Sequence, residues 1–249
     1  MGIDLKICEL IIERDRIIGP SFSYIGITDS GSGSMRQKIK LGMTLLLLIG
    51  IMLLSRKISY VVTNQEIDSS KQVIVIDPGH GGEDPGKVGV NGALEKDINL
   101  QIAKKLKRKL EANGFQVKMT REEDQATGMK ERLAIIEKAK PLLTISVHQN
   151  SFSEASIHGA QVFYYSKSEE GRKAAEAVQN TLLEMDSTNS RKIKANSEYY
   201  LLKKTSVPII IVECGFLSNP QEADTLLINE YQEEIAESIC IGVLKWLDK

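Results

Sequence analysis

Cysteine is scarce in this sequence, with three in 249 residues, and histidine is equally rare. Cys8, Cys214 and Cys240 stand far apart without pattern, which excludes a disulfide framework and a thiolate zinc site. Cys214, in a strand-like run, and Cys240, in a helical one, read as buried free thiols. Net charge is also nearly absent, at −1, which excludes a strongly basic nucleic-acid binder, because such binding rests on neutralising many phosphates. No HExxH helix and no internal repeat is present. What remains, 42% apolar and 26% charged, suffices for one full core, so one domain plus a leader is the simplest organisation.

Residues 1–34 hold one brief apolar patch, Cys8 to Ile12, and end in the linker-like Ser30-Gly31-Ser32-Gly33-Ser34. Met35 then opens a segment with Arg36, Lys38 and Lys40, followed by the uncharged run Leu41 to Leu54. A basic stretch before an apolar one is the pattern of an export signal. The expectation is therefore that Met35 is the natural start, 1–34 an upstream extension that is non-native or disordered, and 35–63 a signal peptide or signal anchor. Arg56 and Lys57 follow at once and no small-x-small cleavage site stands out before Thr63, which makes an anchor plausible. The run is short against the about 20 apolar residues a spanning helix needs, although Ile58 to Val62 extend it if Arg56 and Lys57 snorkel. Residues 64–72 read as a polar tether, and 73–249 as the folded domain.

Within that domain, strand and helix patterns alternate. Val73 to Ile76 is a short β-branched run that stops at Asp77-Pro78-Gly79, placing His80 at the carboxyl end of a strand, where open α/β sheets bind their ligands. The glycines that follow (Gly81, Gly82, Gly86, Gly89, Gly92) predict an irregular loop that allows close backbone approach. From Glu95, Ile98, Ile102, Leu106 and Leu110 recur at helical spacing up to the stop signal Asn113-Gly114. Lys104, Lys105, Lys107, Arg108 and Lys109 read as its solvated face, with attraction to anionic polymer or lipid as the lesser reading. Phe115–Thr120, Leu142–Val147, Ala160–Tyr165 and Pro208–Val212 read as further strands, and Met129–Lys140, Glu169–Met185 and Tyr231–Leu247 as helices. Asp186–Glu198 reads as loop and Tyr199–Leu202 as a short extended piece. The pattern predicts an α/β fold with a twisted, mainly parallel sheet flanked by helices.

Two of these strands end in histidine (His80, His148) and one in glutamate (Glu213), and a helix begins with Glu95. All four would face one sheet edge. Two imidazoles and a carboxylate are a recurrent ligand set for catalytic zinc, and a further carboxylate near the open position can serve as general base. Each residue also has a plain alternative. A lone histidine is more often a satisfied side chain than a ligand, and a first-turn glutamate is favoured by the helix dipole without any metal. His158, with no strand end behind it, reads as a surface or supporting residue.

The segments VIVIDPGHGGEDPG, Glu95, ISVHQNS and PIIIVECGFLSN, in that order between about Val73 and Trp246, resemble the motifs of zinc-dependent N-acetylmuramoyl-L-alanine amidases of the amidase-3 family. The resemblance implies one Zn2+ per chain held by His80, Glu95 and His148, with Glu213 as the catalytic glutamate. It implies hydrolysis of the amide between N-acetylmuramic acid and L-alanine in peptidoglycan, outside the cytoplasm, with membrane contact through an uncleaved leader and no nucleic acid. Thr120-Arg121 and Arg132 also match positions usual in the family. Where the family commonly has Ala-Asn after the second histidine, this chain has Gln149-Asn150, expected to bind substrate, with Gln149 altering its floor. Ile136-Glu137 replaces another Ala-Asn pair, with an effect expected on packing. The lean plan, together with HQNSF and GAQVFYY, is similar to the germination-specific subgroup of spore formers, which implies spore cortex maturation (muramic lactam formation) and germination. A zinc peptidase cutting the stem peptide and a wall-binding module with lost or partner-dependent catalysis are the rivals. The need for a protein activator is left open.

Overall fold

A computed structural model describes residues 72–248, together with Ile39, Met43 and Thr44. The leader and tether expected over 35–63 and 64–72, and the extension over 1–34, lie outside the described residues apart from those three and Gln72. Among the described residues no helix is long and apolar enough to cross a membrane.

The chain runs through β1 (Val73–Pro78), α1 (Glu95–Ala112), β2 (Gln116–Met119), α2 (Met129–Ala139), β3 (Leu143–Asn150) and β4 (Gln161–Tyr165). It continues with α3 (Glu169–Met185), β5 (Lys194–Asn196), α4 (Tyr200–Lys204), β6 (Ile209–Phe216), α5 (Pro220–Thr225) and α6 (Asn229–Leu247). The strands form one sheet in the order β2-β1-β3-β6-β4-β5. β2, β1, β3 and β6 are mutually parallel, whereas β4 runs antiparallel to β6. The expected mainly parallel α/β sheet is thus the fold.

Period-2 alternation divides each central strand between two buried layers. Ile74, Ile76, Ile145, Val147, Ile210 and Val212 pack with Ile98, Ile102, Leu106 and Leu110 of α1 and with residues of α3 and α6. Val75, Ile209 and Ile211 point to the opposite face, where Ile136, Leu201 and Leu202 cover them. The four aliphatic residues of α1 are at most 1% exposed, and each contributes on the order of 1.5–3 kcal/mol of burial. The alternation fixes the functional edge. His148 follows Val147 and Glu213 follows Val212, so both turn to the thinner second face, and the strand register pairs them directly.

Helix boundaries follow their local chemistry. Ser168 caps α3 by accepting the Gly171 N–H at 3.0 Å, and Asn219 caps α5 by accepting from Gln221 and Glu222. α1 has no side-chain cap, and its first N–H groups donate instead to the carbonyls of Lys87 and Pro85 in the glycine-rich loop. That loop is thereby tied to the start of α1. The basic face of α1 is largely paired: Lys107 with Glu122, Arg108 with Glu233, and Lys109 with Glu233 and Glu237. This agrees with a solvated face except at Lys105, which is buried because it lies seven residues after Ile98 and so on the packed side of the helix.

Three expectations need correction. Tyr199–Leu202 is not extended; the segment enters α4, because Asn196 Oδ1 accepts the Glu198 and Tyr199 N–H groups and turns the chain, while Leu201 and Leu202 bury into the second cluster. The polar stretch 186–198 contains β5, an edge strand of three residues paired with β4. β3 continues past Val147 to Asn150 and β6 past Val212 to Phe216, with a register shift after the His148–Glu213 pair.

Candidate active site

His80 leaves β1 in the left-handed region, at φ 60°, a conformation a non-glycine residue adopts only under local constraint. The constraint is visible beneath it. Asp77 is buried and accepts from Thr120 Oγ1 at 2.6 Å, Ser146 Oγ at 2.7 Å and Arg132 Nη1 at 2.6 Å. Burial opposes charge on Asp77, yet Arg132 and the two hydroxyls hold its carboxyl below the usual range. Arg132 also donates to the carbonyls of Pro78 and His80, and Arg121 to those of Pro78 and Gly79. Two buried guanidinium groups therefore clamp the backbone on both sides of the histidine.

Glu95 lies between the two imidazoles. Its Oε1 is 3.3 Å from His80 Nε2 and 2.9 Å from His148 Nδ1. The donor atoms of His80, Glu95 and His148 all lie within 4.8 Å of one another. Glu95 Oε2 accepts the Lys87 N–H at 2.8 Å, and His80 Nδ1 pairs with Asp84 Oδ2 at 2.8 Å, which fixes the ring so that Nε2 faces Glu95. Burial works against the Glu95 charge, but hydrogen bonds from His148 and His80 hold its carboxyl well below the carboxylate range. In return Glu95 raises His80 to about 9, against the pull of burial, and raises His148 although burial opposes it more strongly.

Such a cluster could hold a metal ion. Ligands about 2.0–2.2 Å from a tetrahedral zinc stand roughly 3.3 Å apart, the scale of the contacts Glu95 makes. Glu213 stands outside the three-donor cluster. It is 8% exposed, its Oε2 has no hydrogen-bond partner, and burial pushes its carboxyl up to about 7. A carboxyl poised there accepts or returns a proton near neutral pH. A cavity of about 300 Å³ opens over the four residues, bordered by Met129, Tyr199 and Tyr200.

The structure thus brings His80, Glu95, His148 and Glu213 together as the sequence predicted. Gln149 borders that cavity as well, whereas Asn150 is not among its lining residues. Gln149 is 4% exposed; its backbone N–H donates to Glu95 Oε1 at 3.0 Å and its carboxamide Nε2 to Asn99 Oδ1 at 3.1 Å. Asn150 Oδ1 accepts the N–H of Ser151. His158 is exposed away from the site, and its carbonyl accepts from Arg191. Ile136 is core, while Glu137 accepts from Ser206, as a packing effect requires. Sequence reasoning missed Asp77, Asp84 and Asn99 as supports, and the Met129–Tyr199–Tyr200 rim. Of these only Asp84, four residues from His80, carried a positional hint, and in an irregular loop that spacing has no periodic meaning.

A parallel-sheet edge that gathers two histidines, a bridging carboxylate and a buried second carboxylate defines a hydrolytic enzyme. Residues 74–245 match the Amidase_3 family, N-acetylmuramoyl-L-alanine amidase, and the chain belongs to it. The germination-specific N-acetylmuramoyl-L-alanine amidase of Bacillus subtilis is 34% identical over 232 residues, covering 85% of this chain and 96% of the relative. The CwlD amidase of Clostridioides difficile, solved in complex with the GerS lipoprotein, superposes with TM-score 0.70 at 36% identity, covering 71% of this chain and 98% of the other. AmiC2 of Nostoc punctiforme gives TM-score 0.68 at 37% identity over 72% and 98%. The activity is therefore hydrolysis of the amide between N-acetylmuramic acid and L-alanine in peptidoglycan, not cleavage within the stem peptide.

Proposed function

We propose that the enzyme is a zinc amidase in which His80 Nε2, Glu95 Oε1 and His148 Nδ1 hold the metal and Glu213 moves the proton. The observation that carries this reading is Glu95 Oε1 lying between two imidazole nitrogens, beside a buried carboxyl with an unpartnered oxygen. Zinc, when bound, polarises a carbonyl and lowers the pKa of water from 15.7 to about 7. Glu213 takes the proton of the attacking water and returns it to the departing nitrogen of L-alanine, serving as base and then acid. Asp84 keeps the His80 ring turned toward Glu95 throughout. The rim of Met129, Tyr199 and Tyr200, exposed by 48, 39 and 38%, offers an apolar and aromatic wall for the muramoyl side of the substrate.

Zinc content and muropeptide mass spectrometry on the purified full chain test the assignment together. One zinc per chain and stem peptides beginning with L-alanine are expected; turnover that survives complete removal of zinc would refute it. Replacing Tyr199 and Tyr200 together by alanine should raise KM several-fold with kcat little changed, on the order of 1 kcal/mol per lost stacking contact. An unchanged KM removes the rim from the substrate path.

Proton competition gives a pH signature. In metal-free protein His80 holds its proton up to about 9, so apparent zinc affinity should climb with pH through neutrality and level off near there. The same ion pair stabilises metal-free protein fully below 6.5, and that stabilisation is lost as pH rises through about 9. Competition titrations at stepped pH check the slope, and a flat profile contradicts it.

The biological setting we propose is extracytoplasmic, in spore cortex maturation and germination. Residues 35–63 act as the export signal, which tethers the enzyme to the membrane if uncleaved. A protein activator at the membrane surface belongs to this reading, since a relative was solved with a lipoprotein. Muramic lactam content of spores from a deletion strain tests the setting.

A further inference from the structure

Behind Glu95, Gln149, which borders the inner end of the cavity, and Asn99 form a buried polar pair. Gln149 follows Val147 by two residues, so it shares the face packed against α1. Asn99 is 0% exposed and lies one turn after Glu95 on that helix. Its Nδ2 donates to Glu95 Oε1 at 3.3 Å and to the Gly79 carbonyl at 3.2 Å. Its Oδ1 therefore needs a donor where solvent does not reach, and Gln149 Nε2 supplies it.

That bond acts with the Gly79 carbonyl and Glu95, both acceptors, to set which way the Asn99 amide faces. With Nδ2 toward Glu95 the amide supports a carboxylate, whereas the flipped amide would set oxygen against oxygen. Gln149 Oε1 is itself buried without a partner, a destabilising arrangement that an apolar residue would avoid. The pairing with Asn99, beside a contact with the Cys214 thiol, is what glutamine contributes in exchange. We infer that Gln149 is a positioning residue of the metal centre: by keeping Asn99 a donor it fixes Glu95 Oε1 between His80 and His148, so it governs metal affinity and not substrate contact. The inference rests on the zinc reading of those three side chains.

Zinc competition against a chromogenic chelator, on the metal-free full chain, separates the cases. Gln149→Met keeps length and apolar fill but has no donor, and Gln149→Glu keeps shape but donates nothing when ionised. Both should raise the zinc dissociation constant about 10–100-fold. KM should be unchanged at saturating zinc, kcat should recover with excess metal, and metal-free protein should melt somewhat lower in both variants, because Asn99 Oδ1 is left buried without its donor. Unchanged zinc affinity with a raised KM would overturn the inference in favour of a substrate contact. A fall in metal-free stability with zinc affinity and KM both unchanged would reduce Gln149 to packing. Wild-type protein that fails to bind one zinc sinks the zinc reading itself, whereas stoichiometric wild type with unaffected variants sinks only the Gln149–Asn99 pair.

Discussion

Replacing Glu213 by glutamine will leave a folded protein that takes up zinc one to one and turns over its substrate about 10²–10⁴-fold more slowly, the range general acid–base catalysis contributes. Metal uptake survives because Glu213 stands outside the donor cluster of His80, Glu95 and His148. Turnover falls because glutamine keeps the shape and burial of the side chain but cannot accept a proton. The substitution also carries a stability signature that separates loss of chemistry from misfolding. Burial raises the Glu213 carboxyl from 4.5 to about 7, so the folded state binds more protons than the unfolded state between those values. Wild-type stability is therefore eroded as pH rises from 4.5 to about 7, and the glutamine variant escapes that loss. At pH 8 metal-free Glu213→Gln should melt above metal-free wild type, and near pH 4 the two should converge. Near-normal amidase activity in this variant would remove Glu213 from the reaction.

Gly79→Ala should be nearly as damaging without touching a functional group. A Cβ at Gly79 would sit 2.1 Å from His148 Cε1 and 2.3 Å from its Nε2, closer than any real contact. The imidazole must move, and a displacement of about 1 Å in such a centre costs on the order of 100-fold in rate. The backbone offers no relief, because the Gly79 carbonyl is held by Asn99 and Arg121 and its N–H donates to Val147. Overpacking of this kind also destabilises by about 1–3 kcal/mol. Gly86→Ala should act likewise, since its Cβ would meet Glu95 Oε2 and the His80 ring at 2.6 Å, at a φ of +64°. Gly128→Ala is the control, with nothing within 4 Å, and should leave zinc binding unchanged. Comparable zinc affinity in Gly79→Ala and Gly128→Ala would mean that the ring is not held as described.

These glycines show how far the sequence could be read. The stretch from Gly79 to Gly92 reads as an irregular loop permitting close approach, and it is one. Which glycine faces what was not legible, because the neighbour of Gly79 is His148, on another strand. The same limit explains the supports. Asp77, Arg121 and Arg132 are far apart in the chain, and no periodic pattern links a strand end, a turn and a helix into one hydrogen-bonded clamp. It explains α4 as well, whose five residues are too few for periodicity to separate helix from strand.

By itself the sequence determined that this is an α/β domain with a mainly parallel sheet, and that His80, His148 and Glu213 lie at or near the carboxyl ends of three strands while Glu95 opens a helix. It could do so because burial on both faces writes β-branched runs and helical spacing directly into the chain. The tertiary structure decided the rest. Parallel register set His148 against Glu213 on the thinner face, the loop-to-helix hydrogen bonds brought Glu95 between the imidazoles, and alternation along β3 turned Gln149 inward to Asn99. Orientation within a site depends on which residues meet across strands, and strand pairing is a property of the folded chain that no local pattern encodes.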